Sequence, residues 1–171
     1  MNKKFIAMLF LMAPLALFAQ NLTPKYAHFN SEEIVTLMPE TKAMQARMED
    51  RSQKYDIEMK RLQDEYLRNL AAYEADQATL LESVKQRREE DLQRQYMAMQ
   101  EQFQIYQQEF EMKKMEEQEN INKIVLAAVK QVGIEGDYVY IFDKSIGLPV
   151  FINEKYSTDV TSAVKAKLGI K

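Results

Sequence analysis

From Glu40 to Val132 the chain runs more than ninety residues without a Gly or a Pro. The stretch is dominated by Glu, Gln, Lys, Arg, Met, Ala and Leu, whose unbranched side chains keep most of their rotamer freedom in a helix. A helical pattern of that length exceeds what a globular core uses and points to a coiled coil. The apolar spacing shows where the helix must be covered. One seam reads Tyr55, Met59, Leu62, Tyr66, Leu70, Tyr73, Leu81 and Val84, with Gln77 in its one polar slot and Met44 and Met48 extending it backwards. Its steps follow an eleven-residue repeat, which suits a nearly straight helix. A second seam reads Leu92, Tyr96, Met99, Phe103, Tyr106 and Phe110 on heptad steps, weakens through Lys113 and Glu117, and resumes at Ile121, Ile124 and Ala128.

Seven consecutive polar residues, Lys85 to Asp91, separate the two seams. They are the expected tip of a helical hairpin with arms over 39–84 and 92–132, each about 60–70 Å long at 1.5 Å per residue. One continuous helix of about 140 Å is the alternative, because no Gly or Pro marks a turn.

The flanks are of another kind. Met1-Asn2-Lys3-Lys4 followed by the apolar run Phe5–Phe18 reads as a secretory signal peptide over residues 1–19, with cleavage expected after Ala19. The chain is therefore expected to be exported. Cleavage would take Lys3 and Lys4 from the 23 basic residues, leaving 21 against 26 acidic ones, a net charge of −5. An acidic chain of this kind is a poor nucleic-acid binder. Without Cys there is no disulfide to stabilise it.

Residues 20–38 read as a short strand, Tyr26–Phe29, then a brief helix capped by Asn30 with Glu33 in capping-box spacing. Pro39 opens the long helix, and Gly133 is its expected C-terminal glycine. Over 133–171 the composition turns β-branched and aromatic. Residues 138–142 and 149–152 read as a β-hairpin about a turn at 143–147. Ser157-Thr158-Asp159 is the expected cap of a final helix carrying Val160, Val164 and Leu168. The expected fold is mainly α with a small antiparallel β body: a long antiparallel helical hairpin standing on a β-rich oligomerisation base. A three-stranded sheet has little core of its own, so copies would share one body through Tyr26, Phe29, Val139, Ile141 and Val150.

The order and spacing of these pieces resemble the Skp/OmpH family of periplasmic chaperones. The residues that carry the resemblance are the signal segment, Lys25-Tyr26-Ala27-His28-Phe29-Asn30 and Met38-Pro39-Glu40. They continue with Val139-Tyr140-Ile141-Phe142-Asp143-Lys144, and with Asp159-Val160-Thr161 before Val164 and Leu168. The resemblance implies a homotrimer whose arms enclose a cavity for unfolded outer-membrane proteins, with no cofactor and no ATP. Familiar members are basic, whereas this chain is acidic, so contact with lipid does not carry over.

Chemistry finds little footing in the residues. There is one histidine, His28, and no nucleophile motif, phosphate loop or metal-ligand spacing, so neither an enzyme nor a metal site is expected. Most seam residues serve packing between the arms. Apolar residues off the seams are the candidate client contacts: Leu67, with Ala71 and Ala78, and Met97, Ile105 and Met112. Methionine suits a surface that must accept many sequences. Lys85, Arg87 and Arg88 at the expected tip are solubilising charge on one reading and a contact for membrane phosphates on the other. The rival function is a non-enzymatic envelope coiled-coil spacer or adaptor that binds one defined partner.

Overall fold

A computed structural model describes residues 23–170 of the chain. The expected signal peptide and its cleavage point lie outside the described residues. Strand β1 (Lys25–Phe29) leads into helix α1 (Ser31–Leu37), α2 (Pro39–Asp76) and α3 (Glu82–Gly136). Strand β2 (Tyr138–Asp143), a 3₁₀ turn at Lys144–Ile146, strand β3 (Ser157–Asp159) and helix α4 (Thr161–Lys167) complete it.

The N-terminal expectations agree with this arrangement. The Asn30 side chain accepts from the Glu33 amide at 3.2 Å and caps α1. Met38 is extended, with ψ 133°, so α1 stops there and Pro39 opens α2 in its first turn.

Helices α2 and α3 form an antiparallel pair. Partners along it run in opposite senses: Arg47 with Glu117, Tyr55 with Glu109, Asn69 with Gln95 and Tyr73 with Glu89. The turn itself is earlier than expected. Asp76 ends α2, Gln77–Leu80 make the reversal, and extended Leu81 precedes α3. It is built from backbone and hydroxyl bonds: the Gln77 amide donates to the Tyr73 carbonyl at 2.8 Å, and the Thr79 amide and hydroxyl each donate to the Asp76 carbonyl at 2.9 Å. The polar run 85–91, expected as the tip, instead forms early turns of α3. Lys, Gln, Arg and Glu are good helix formers, so a polar run interrupts an apolar seam without interrupting the helix. Leu81 and Val84 consequently leave the first-arm seam and are exposed.

The seam of α3 is broader than expected in places. Gln95 and Gln102 share the inward face with Tyr96 and Phe103; the Tyr96 ring lies 5.9 Å from that of Tyr66, and both aromatics stay 47% exposed at the edge of the seam. Gln95 is held there by the Asn69 amide at 2.9 Å. Nearer the base, Val125 rather than Ile124 is buried. Helix α3 does not stop at Gly133 but continues to Gly136, and Asp137 takes the left-handed cap at φ 53°, ψ 44°. Both glycines serve close packing at this crossing. A Cβ on Gly133 would lie 3.4 Å from the Ile141 side chain, and one on Gly136 would lie 2.2 Å from the Tyr138 ring.

The sheet is parallel, in the order β2-β1-β3, which corrects the expected antiparallel body. Residues 149–152 form no strand, so the expected β-hairpin is absent. The central strand β1 precedes the helical pair and β2 follows it. The arm therefore serves as the crossover that parallel neighbours require. The segment 144–156 is a second crossover, and it delivers Ser157–Asp159 to the remaining edge of β1. Those residues, expected as a helix cap, are therefore a strand. Asp159 still accepts from the Thr161 amide at 2.9 Å, which holds the start of α4.

One face of the sheet is covered. Ala27 and Phe29 of β1, Ile34, Met38, Val160 and Val164 pack with Ile121, Val125, Ala128 and Val132 from the last turns of α3. The final third of α3 thus belongs to the body, and the division expected at 132 falls inside a continuous helix.

Candidate binding surface

Two apolar surfaces remain after the core and the seam are assigned. The first runs along the arm. In an α-helix each residue turns about 100°, which places Met97, Ile105, Met112, Met115 and Leu126 within about 80° of one another on α3. The inward residues Met99, Tyr106 and Phe110 lie roughly opposite. All five stripe residues are exposed, as are Leu67 and Ile57 on α2. The four expected client-contact residues, Leu67, Met97, Ile105 and Met112, are therefore accessible and take no part in the seam. Met115 and Leu126 were not expected, yet they continue the same spacing and were readable from it. Polar Glu101, Gln108 and Glu119 are interleaved with the stripe, so it presents isolated apolar side chains rather than a continuous patch.

The arm beneath is held by stacking and by polar stitches. Tyr55 stacks on Tyr106 with ring centroids 4.3 Å apart and planes 10° from parallel. Arg47 donates two hydrogen bonds to the Glu117 carboxylate, at 2.8 and 2.6 Å. These bonds hold the Glu117 carboxyl below the usual range and raise the Arg47 guanidinium. Between Tyr55, Met59, Phe103, Tyr106 and Phe110 a cleft of about 410 Å³ opens to solvent, with Asp56 and Glu111 at its rim. Near the tip, the Tyr73 hydroxyl donates to Glu89. That bond, with burial acting in the same direction, raises its pKa to about 12. Arg88 lies 3.7 Å from Asp76, so one of the three expected tip cations stitches the arms together.

The second surface is the uncovered face of the sheet. Tyr26 stacks parallel to Tyr140 at 6.4 Å, and Phe142 lies 6.0 Å from Tyr140. Phe151 and Tyr156 from the second crossover extend it, beside Val150 at 93% exposure. Of the expected oligomerisation residues, Tyr26, Val139 and Val150 are exposed, whereas Phe29 and Ile141 pack into the subunit's own core. Tyr140 and Phe142 were missed, although they alternate with Ile141 and so had to point to the opposite face.

His28 is buried at the centre of the sheet. Its Nδ1 lies 2.8 Å from the Ser157 hydroxyl and its Nε2 3.5 Å from Asp159. Burial works to raise the Asp159 pKa, but the Thr161 hydroxyl and amide and the Lys144 ammonium outweigh it and hold it at about 2. This cluster ties β3 to β1 and to the 3₁₀ turn. Among the described residues no group of His, Asp or Glu has the arrangement of a metal site. No helix among them is long and apolar enough to cross a membrane.

The model of the OmpH-like outer membrane protein family matches residues 25–168, nearly the whole described chain. The chain belongs to the OmpH-like family. No sequence among curated proteins matches it significantly. The fold is similar to the crystal structure of an OmpH-like protein from Caulobacter crescentus, described there as a candidate outer membrane chaperone. The TM-score is 0.72 at 21% identity, covering 85% of this chain and 83% of that one. Membership of the OmpH-like family agrees with the expectation drawn from the order of motifs around the long helices, and the mainly helical fold agrees with it too.

Proposed function

We propose that this OmpH-like chain is an ATP-independent holdase of the periplasm that keeps unfolded outer-membrane proteins from aggregating. The observation that carries the reading is the exposed stripe along α3. An arm whose two helices are already paired still displays Met97, Ile105, Met112 and Met115 to solvent. Flexible thioethers spaced among polar residues favour many weak contacts, which retain a chain and let it leave without fuel. Leu67 on α2 adds to this surface.

The aromatic sheet face supports assembly. A monomer seldom leaves so many large apolar side chains uncovered on one face. Copies of the chain, three on the family's pattern, would cover Tyr26, Val139 and Val150 and leave the arms projecting around a shared space.

The test uses the chain without its signal segment. Light scattering gives its mass, and dilution of an outer-membrane β-barrel protein from urea gives aggregation. Replacing Leu67, Met97, Ile105 and Met112 together by Ser should weaken suppression several-fold and leave the mass unchanged, because none of the four supports the seam or the core. Full suppression by that variant would remove the stripe from the mechanism. A parent chain that suppresses nothing would favour the adaptor reading.

A further inference from the structure

We propose that Met97, Met112 and Met115 form an oxidant-responsive modification site that lowers binding along α3. The proposal rests on the reading of that stripe as the client-contact surface. Eight methionines lie among the described residues, and the fold sorts them sharply. Met38 and Met48 are buried, and Met44, Met59 and Met99 are half-covered in the core or the seam. Met97, Met112 and Met115 are exposed at 63%, 57% and 59%, all on one stripe. The chain has no Cys, so no thiol competes for a two-electron oxidant.

The oxidant is of the peroxide class. A lone pair on a methionine Sδ attacks one peroxide oxygen; an S–O bond forms as the O–O bond breaks. The departing hydroxide takes the proton carried by the transferred oxygen and becomes water, which leaves the neutral sulfoxide oxygen on sulfur. Sulfur is oxidised to the sulfoxide while peroxide is reduced to water, which balances the step. The product is polar where the thioether was apolar, so the stripe loses its attraction for apolar chain segments. The scaffold reacts later because Met38 and Met48 are buried and Met44, Met59 and Met99 are half-covered. Enzymatic reduction of the sulfoxides restores the surface.

Graded hydrogen peroxide on the chain without its signal segment, followed by peptide mass mapping, should show oxygen added to Met97, Met112 and Met115 before Met38 and Met48. Circular dichroism should not change. Suppression of aggregation of a urea-diluted β-barrel protein should fall at least about threefold, and methionine sulfoxide reductase should restore it. The variant M97L/M112L/M115L has no thioether on the stripe, so whatever suppression it shows before peroxide should be unchanged after it. Equal loss in that variant, or full suppression by the oxidised parent, overturns the switch. Oxidation that reaches Met38 or Met48 as early as the stripe overturns the site. The untreated parent serves as control: its failure to suppress aggregation sinks the holdase reading and the switch with it, whereas a competent parent confines any failure to the switch.

Discussion

The arm and the body are stabilised in different ways although α3 runs through both. In the body, β1, α1, α3 and α4 converge on one cluster whose members, from Ala27 to Val164, are almost wholly buried. In the arm, two helices meet along a single seam; Met48 and Tyr73 are its only buried apolar residues, and half-buried apolar side chains, the Tyr55–Tyr106 stack and hydrogen bonds at the helix flanks supply the rest. A core fed from several directions unfolds as one unit. A seam between two helices opens one stretch at a time. The difference teaches that the same helix can be anchored at one end and compliant at the other, as the proposed holding of clients by the arm would require.

The sharpest break of that contrast is a cavity in the body. Ile34→Ala, at a fully buried site, should cost about 3 kcal/mol of global stability, read from urea unfolding. A loss no larger than that of a surface substitution would mean that the cluster is not the anchor. In the arm, Tyr106→Ala removes the stack on Tyr55 and should cost about 1 kcal/mol. The cost should appear as faster amide hydrogen exchange in α2 and the outer part of α3, with exchange in the sheet unchanged; matching acceleration in the sheet would erase the distinction between the regions.

Acid sharpens it further. Asp159 titrates at about 2 in the folded chain, below the ordinary carboxylate value of about 3.9. Its stabilisation of the β1–β3 junction is thus complete above about pH 4 and is lost as pH falls towards 2. Asp159→Asn should flatten that part of the acid unfolding curve, and an unaltered curve would exclude Asp159 from it. The smallest effect is expected at the tip. Tyr73 is raised to about 12, so its bond to Glu89 is intact below about pH 10 and is lost as pH rises through 12. Tyr73→Phe should raise amide exchange near the 77–81 turn slightly at neutral pH, with no change in the body.

Much of this fold was legible because periodicity reports covered surface. Tyr55, Met59, Leu62, Tyr66, Leu70 and Tyr73 follow the seam of α2, and Asn30 and Pro39 mark real boundaries. The turn was misplaced because charge and helix propensity are separate properties: residues 85–91 are polar and helical together. Strand pairing was misread for a different reason. A β-rich run such as 149–152 shows that a strand is permitted there, while its pairing depends on where the crossovers deliver the chain.

By itself the amino-acid sequence determined that long helices with two apolar seams would form, where β1 and α1 begin, and that apolar side chains would be left over beyond the seams. Those are properties of neighbours in the chain and of spacing along one helix. Only the tertiary structure decided that the sheet is parallel, that α3 ends inside the body, and that Phe29 and Ile141 face inward while Tyr140 and Phe142 face out. Each of these depends on which distant segments meet β1, and a strand's two faces become inside and outside only once a helix lies across one of them.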